Sequence, residues 1–241
     1  MQKKKKPAIK TRFIKGRRIY VAFLDILGFS RLLKSKNFRE QIEGIVRSLH
    51  KRAEFDGKHY PSLKYLAISD TIIITAGDGD GYVLVRKVSQ IQNALLKAGF
   101  AVRGGVAFGH TLTHTGDLGR NLFGKTYLNA YNAEKELAIY PRVVIVKDTV
   151  ARLKKDISAE TNRELKTYVL RDVDGVSYIN QFSSDVIGLN SDTAANRSRA
   201  LGNRAIFLEK IDAGLDTVDP KAAMKWQWLK RQLDRHLPDP Q

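Results

Sequence analysis

Residues Ile19 to Ser30, IYVAFLDILGFS, set the terms for the rest of the chain. Ile19, Tyr20, Val21, Ala22, Phe23 and Leu24 form an unbroken apolar run of strand length, as expected of a central strand buried on both faces. Asp25 stands where that strand ends, so its carboxylate can reach solvent while its backbone stays rigid. Gly28 lets the following turn come close to a ligand, and a helix is expected from about Ser30.

Working outward, Arg31 to Arg52 places Leu32, Leu33, Phe38, Ile42, Ile45, Val46 and Leu49 at mostly helical spacing, and Asp56 to Pro61 is read as the break after this helix. LKYLAISDTIIIT, Leu63 to Thr75, reads as two short strands hinged at Ser69 and Asp70. A glycine and aspartate loop, Gly77 to Gly81, leads into a helix from about Tyr82 to Lys97. Gly99 to Gly109 is a glycine-rich strand carrying Arg103, and His110 to Arg120 is a loop or hairpin. Lys125 to Ile139 is a helix stopped by Pro141, and Arg142 to Val146 a further strand. Short strands at Thr167–Leu170 and Val176–Ile179 flank the turn Asp172 to Gly175. Helices follow near Ala194–Ala213 and from Pro220 to Leu237, the second capped by Asp219 with proline first in the helix.

The order β, α, β-β, α, β, α, β is α+β, a ferredoxin-like βαββαβ core with an added C-terminal helical region. Three parts are expected: a basic, disordered tail over 1–18, a catalytic domain over 19–182 and a helical extension over 183–241. The chain of 241 residues is 43% hydrophobic and contains no cysteine, which excludes disulfides, thiolate metal sites and a cysteine nucleophile. No apolar run reaches the length of a membrane span and no secretory signal opens the chain, so it reads as cytoplasmic. Nine of the 42 Lys and Arg residues fall in the first 18 positions with no acid among them, which leaves +8 of the net +17 to the remainder. Without an aromatic single-strand motif, that tail reads as a solvated polycation and not as a dedicated nucleic-acid surface.

Asp25 and Asp70 carry the chemistry. In a βαββ core the first strand and the hairpin are neighbours, so the two carboxylates share one site and repel each other unless a cation lies between them. Mg²⁺ or Mn²⁺ suits such an oxygen set and brings substrate phosphates with it. His110 and His114 lack a helical setting and read as loop histidines, Asp78 and Asp80 as loop acids, and Trp226 and Trp228 as packing residues.

AFLDILGFS, AISDTIII and RGGVAFG together resemble the class III nucleotide cyclases over about Ile19 to Val146, while FGKTYLNAYNAEKELA resembles their dimerisation helix in part. The resemblance implies that Asp25, Asp70 and the Ile26 carbonyl hold two Mn²⁺ or Mg²⁺ ions. It further implies that Arg103 binds the triphosphate and that the amides of Gly28, Phe29 and Ser30 cradle its phosphates. It implies a homodimer with sites at the interface. Where adenylate cyclases read the purine with Lys and Asp, this chain has Leu66 and Asn121. Where they place a catalytic Asn and Arg on the helix, it has Leu128 and Asn132, with Asn129 one place off. Within the class, DILGF, the SD hairpin and YVLRDVDG resemble the pyrimidine cyclases of the bacterial Pycsar anti-phage system. That resemblance implies cyclisation of UTP or CTP to a 3′,5′-cyclic mononucleotide that signals to a separate effector. Tyr65, Leu66, Asn121, Asn129 and Asn132 are the candidate base and ribose residues, with Tyr65 the alternative to Leu66 should the register differ by one. A second reading is a catalytically degenerate cyclase-like fold that binds a nucleotide or nucleic acid. A diguanylate cyclase is disfavoured because no GGDEF-type hairpin is present.

Overall fold

The computed structural model describes residues 12–116, 119–183, 187 and 193–237, with the side chains of 12–15, 31, 113–116 and 119–123 left aside. In chain order the elements are β1 (Arg12–Ile26), α1 (Phe29–Leu32), α2 (Phe38–His59), β2 (Lys64–Ile68), β3 (Thr71–Gly77), α3 (Gly81–Lys97), β4 (Val102–Gly116) and β5 (Gly119–Phe123). They continue with α4 (Lys125–Leu137), β6 (Val143–Ile145), α5 (Lys147–Lys155), α6 (Ala159–Tyr168), β7 (Val169–Arg171), β8 (Ser177–Ile179), α7 (Ala194–Leu215) and α8 (Pro220–His236). One sheet runs β2-β3-β1-β4-β6-β8-β7, with β5 hairpinned onto β4. The expected α+β core is present, with β1 at its centre between antiparallel β3 and β4.

Strand alternation on β1 sorts the core into two layers. Tyr20, Ala22, Leu24 and Ile26 face α2 and α3, where Ile45, Leu84, Val88 and Ile91 cover them. Val21 and Phe23 face the other way, onto Ala130 of α4. There the Phe23 ring meets Tyr127 and Tyr131 edge-on at 5.8 and 5.3 Å. Asp25, two residues beyond Phe23, shares the α4 face. Gly105 fits α4 to the sheet: a Cβ there would lie 2.1 Å from the Ala130 carbonyl oxygen, so a side chain is incompatible with the observed helix position.

The C-terminal helices belong to the same packed body. Trp228, Leu229 and Leu233 of α8 and Phe207 of α7 share one apolar cluster with Leu96 of α3 and Tyr178 of β8. Burial pushes the Tyr178 phenol up to about 12, with Asp172 adding in the same direction. Fully buried Arg142 joins this cluster to the β7–β8 turn, donating to both Asp172 and Asp174, while the Trp228 indole N–H donates to Asp172 at 3.1 Å. The α8 start is as expected, with Pro220 first and the Asp219 carboxylate accepting from the Lys221 amide at 3.0 Å.

Several expectations need correction. The segment 12–18 is not disordered tail but the first part of β1, paired with β4 from Arg12↔Thr115 onward across an irregularity between Ile14 and Arg17; residues 1–11 lie outside the described residues. The first amphipathic stretch is two helices, α1 and α2. Asp56 does not break α2, because tertiary partners hold it inside: its carboxylate is buried 2.6 Å from the Lys87 ammonium and accepts from the Tyr65 hydroxyl at 2.6 Å. Between β6 and β7 lie α5 and α6, which the sequence reading did not identify, and Thr167 and Tyr168 close α6 instead of opening a strand. Among the described residues, no helix is long and apolar enough to cross a membrane.

Candidate active site

The β2–β3 turn is what brings the two acids together. Ser69 adopts φ +57° and Asp70 follows it in a two-residue hairpin, a left-handed first turn residue being characteristic of hairpins whose twist matches their strands. The Ile26 amide then donates to the Asp70 backbone carbonyl at 3.0 Å, which ties the turn to the end of β1. Asp25 pairs in register with Thr71 on one side and with Arg103 on the other. Asp25 and Asp70 therefore lie at adjacent strand ends, as the order of the strands leads one to expect.

Arg103 does not stand free. Its Nε donates to Asp25 Oδ2 at 3.0 Å and lies 2.7 Å from Oε1 of Glu134, a residue of α4 with a nearly buried side chain. Glu134 joins this cluster and is not among the residues that the sequence singles out. The available signal was its place on the buried face of α4 with Ala130 and Ala133, where a charged residue needs a partner. Burial raises its carboxyl above the ordinary carboxylate range; Arg103 pulls against that rise and Asp25 adds to it. Because α4 lies directly on Gly105, two residues along β4 from Arg103, the close helix approach also delivers Glu134 to the guanidinium.

The loop after Asp25 has the expected character at one position in particular. Gly28 sits at φ +80°, where a side chain would be strained. Phe29 packs into the core and Ser30 is exposed. The first amides of a helical turn have no intrahelical partner and are available as donors, although α1 is only four residues long.

The base and ribose candidates separate. Leu66 pairs with Ile73 on the face that carries Asp25 and is 38% exposed. Tyr65 points the other way and spends its hydroxyl on Asp56, and burial with that hydrogen bond raises its pKa well above a free phenol. Tyr65 is thus withdrawn as a base residue, by strand alternation. Asn121 pairs in the backbone with His114 on the β4–β5 hairpin, and its side chain lies outside the described residues. Asn129 and Asn132 are partly exposed on α4, one turn apart, and neither makes a side-chain hydrogen bond among the described residues. Leu128 is 52% exposed.

Among the described residues no group of three or more His, Cys, Asp or Glu side chains converges on a metal-sized space. A divalent ion at this site would rest on two carboxylates supplemented by backbone and substrate oxygens, a donor set that suits Mg²⁺ or Mn²⁺. Asp25 already holds a cation, the Arg103 guanidinium, and the partly exposed Asp70 carboxylate has no partner among the described residues. The residues fit such an ion.

Neither a protein-family model nor a curated protein matches the sequence. Solved structures do match the fold. The adenylyl cyclase CyaB from P. aeruginosa superposes with a TM-score of 0.51 at 14% identity, over 68% of this chain and 94% of that one. A bacterial light-regulated adenylyl cyclase gives 0.50 at 14% identity, over 83% of this chain and 59% of that chain. Identity at this level speaks for architecture and not for substrate. The chain has the α+β fold of the class III nucleotide cyclases.

Proposed function

We propose that the protein is a nucleotide cyclase that joins the ribose 3′-oxygen of a nucleoside triphosphate to its α-phosphorus and releases pyrophosphate. The observation that carries this reading is the pairing of Asp25 and Asp70 at adjacent strand ends, fixed by the Ile26 to Asp70 backbone bond, with Arg103 beside them. Two divalent ions, when bound, would supply charge neutralisation on the triphosphate and acidify the 3′-hydroxyl. Asp25, Asp70 and the Ile26 carbonyl would hold those ions. Arg103, drawn from Asp25 to the phosphates, would stabilise charge that develops as pyrophosphate leaves. Glu134 would keep the guanidinium anchored through that change of partner. The amides at Gly28, Phe29 and Ser30 would donate to phosphate oxygens.

For the base we propose a pyrimidine, UTP or CTP. Leu66 stands on the site's face of β2 where the purine cyclases carry a lysine, so no cation there can read a purine edge, while Asn121 offers an amide donor and acceptor. The sequence resemblance to Pycsar cyclases extends the proposal to a cyclic-pyrimidine signal, received by a separate effector in anti-phage defence. We further propose a homodimer. Leu66, Ile68 and Leu128 are 38%, 59% and 52% exposed, and Leu66 and Ile68 share the sheet face that carries Asp25. That apolar strip suits a second copy.

A second reading, a degenerate nucleotide-binding cyclase fold, is favoured by one observation: Leu128 and Asn132 stand where the family's helix carries its catalytic Asn and Arg. Calorimetric titration of Mn²⁺ into the protein with α,β-methylene-UTP tests the site itself. Metal-dependent nucleotide binding that Asp25→Asn and Asp70→Asn each abolish supports the assignment. Wild-type binding in Asp70→Asn removes the metal pair.

A further inference from the structure

Against the Gly28 turn lies a cavity of about 610 Å³ whose lining, Gly28 apart, the catalytic reading does not use. One wall is Leu27 and Gly28, and the opposite wall is the C-terminal extension, with Trp226, Lys221 and Lys225 of α8. Its volume falls within the range of small-molecule sites. Its chemistry is mixed in a specific way. Trp226 presents an indole whose position is fixed from behind: a Cβ on Gly214 of α7 would lie 2.2 Å from the ring, so the two helices hold it as a rigid platform. Lys221 and Lys225 are one helical turn apart and form no ion pair among the described residues. The neighbouring Asp219 carboxylate accepts from the Lys221 amide as the helix cap. Ser35, in the loop after α1, also lines the cavity, and its Oγ is buried with no hydrogen-bond partner among the described residues. A buried hydroxyl without a partner is costly, and a ligand atom is one way to satisfy it.

From this juxtaposition we infer that the cavity is a binding site for a small organic anion that bears a flat ring. The ring would lie against the Trp226 indole, and the phosphate or carboxylate would accept from Lys221, Lys225 and the Ser35 hydroxyl. Two sources share this chemistry, a nucleoside monophosphate and an aromatic acid. Because Leu27 and Gly28 form one wall, an occupant would brace the turn that follows Asp25, and the site is placed to govern the catalytic loop. The binding claim stands apart from the proposed cyclase activity; only the effect on turnover rests on that activity.

The experiment titrates the full chain, without metal, with UMP, phenyl phosphate, benzoate and inorganic phosphate, following tryptophan fluorescence and heat. The expected result is saturable one-to-one binding of a ring-bearing anion, with inorganic phosphate alone binding more weakly. Lys221→Ala/Lys225→Ala should weaken that binding by at least about tenfold, the scale of one charge-assisted hydrogen bond. Asp25→Asn should leave it unchanged. Both lysines are on the surface of α8, so the double variant should melt like the wild type, and Ser35→Ala gives an independent reduction. Preference for UMP over benzoate marks the occupant as a nucleotide, and the reverse marks it as an aromatic acid. No saturable binding, or binding that survives loss of both lysines, overturns the inference. Binding abolished by Asp25→Asn also overturns it, by assigning the ligand to the catalytic site, and leaves the cyclase reading intact.

Discussion

Replacing Gly105 with alanine should destabilise the protein and disturb the site together, because one contact serves both. The new Cβ would sit 2.1 Å from the Ala130 carbonyl oxygen, 2.8 Å from the Glu134 amide nitrogen and 2.9 Å from the Ala133 Cβ. Ordinary contact begins at 3.4 Å and the obstructing atoms are mostly helix backbone, so α4 must move off the sheet by roughly 1 Å. Overpacking of this kind costs about 3 kcal/mol at the upper end of its usual range. For a chain of this size that lowers the melting temperature by about 6 to 12 °C. The same displacement draws Glu134 away from Arg103. A built-in control is Gly44, in the middle of α2, where an added methyl would meet nothing within 4 Å. There alanine should stabilise by about 0.5 to 1 kcal/mol through helix propensity. Thermal unfolding followed by circular dichroism reads both variants. If Gly105→Ala melts with the wild type, α4 does not rest on β4 as described, and the delivery of Glu134 to Arg103 fails with it.

Asp56→Ala strands the buried Lys87 ammonium and the Tyr65 hydroxyl, and should cost about 3 to 5 kcal/mol by urea denaturation. Asp56→Ala/Lys87→Met should recover much of that loss, and a single variant within about 1 kcal/mol of wild type would show that the pair does not hold α2. His236 is half-buried at the end of α8, where burial, helped by Arg235, depresses its pKa below 6.5. A depressed histidine adds stability above its unfolded pKa and loses it as pH falls through the folded value, so acidification below about 6.5 should weaken the fold. His236→Gln should flatten that part of the stability profile, and an unchanged profile removes His236 as its source.

The parts of the fold legible in the sequence were those fixed by local pattern. The unbroken apolar run into Asp25, the hairpin at Ser69 and Asp70, and the Asp219–Pro220 start of α8 each carry their own signal within a few residues. What escaped depends on partners far along the chain. Asp56 looks like a helix breaker beside Gly57 and Pro61, and stays helical because Lys87 and Tyr65 neutralise and satisfy its carboxylate. Arg12 to Arg18 read as a charged tail, yet the extended β4 supplies a strand for it to pair with. The placement of Asp25 and Asp70 at neighbouring strand ends followed from strand order alone. Glu134 did not, since its role exists only where α4 crosses Gly105. Tyr65 and Leu66 could not be assigned until the β2–β3 register set which of them faces Asp25.

Turnover reads the proposed cyclase activity directly. Purified protein with Mn²⁺ is incubated in turn with ATP, GTP, UTP and CTP, and the products are identified by mass spectrometry. The wild type is expected to form a 3′,5′-cyclic pyrimidine mononucleotide and pyrophosphate, and Asp25→Asn to form neither. Cyclic product from ATP or GTP alone would contradict the pyrimidine assignment. No cyclic product from any of the four would contradict the cyclase itself.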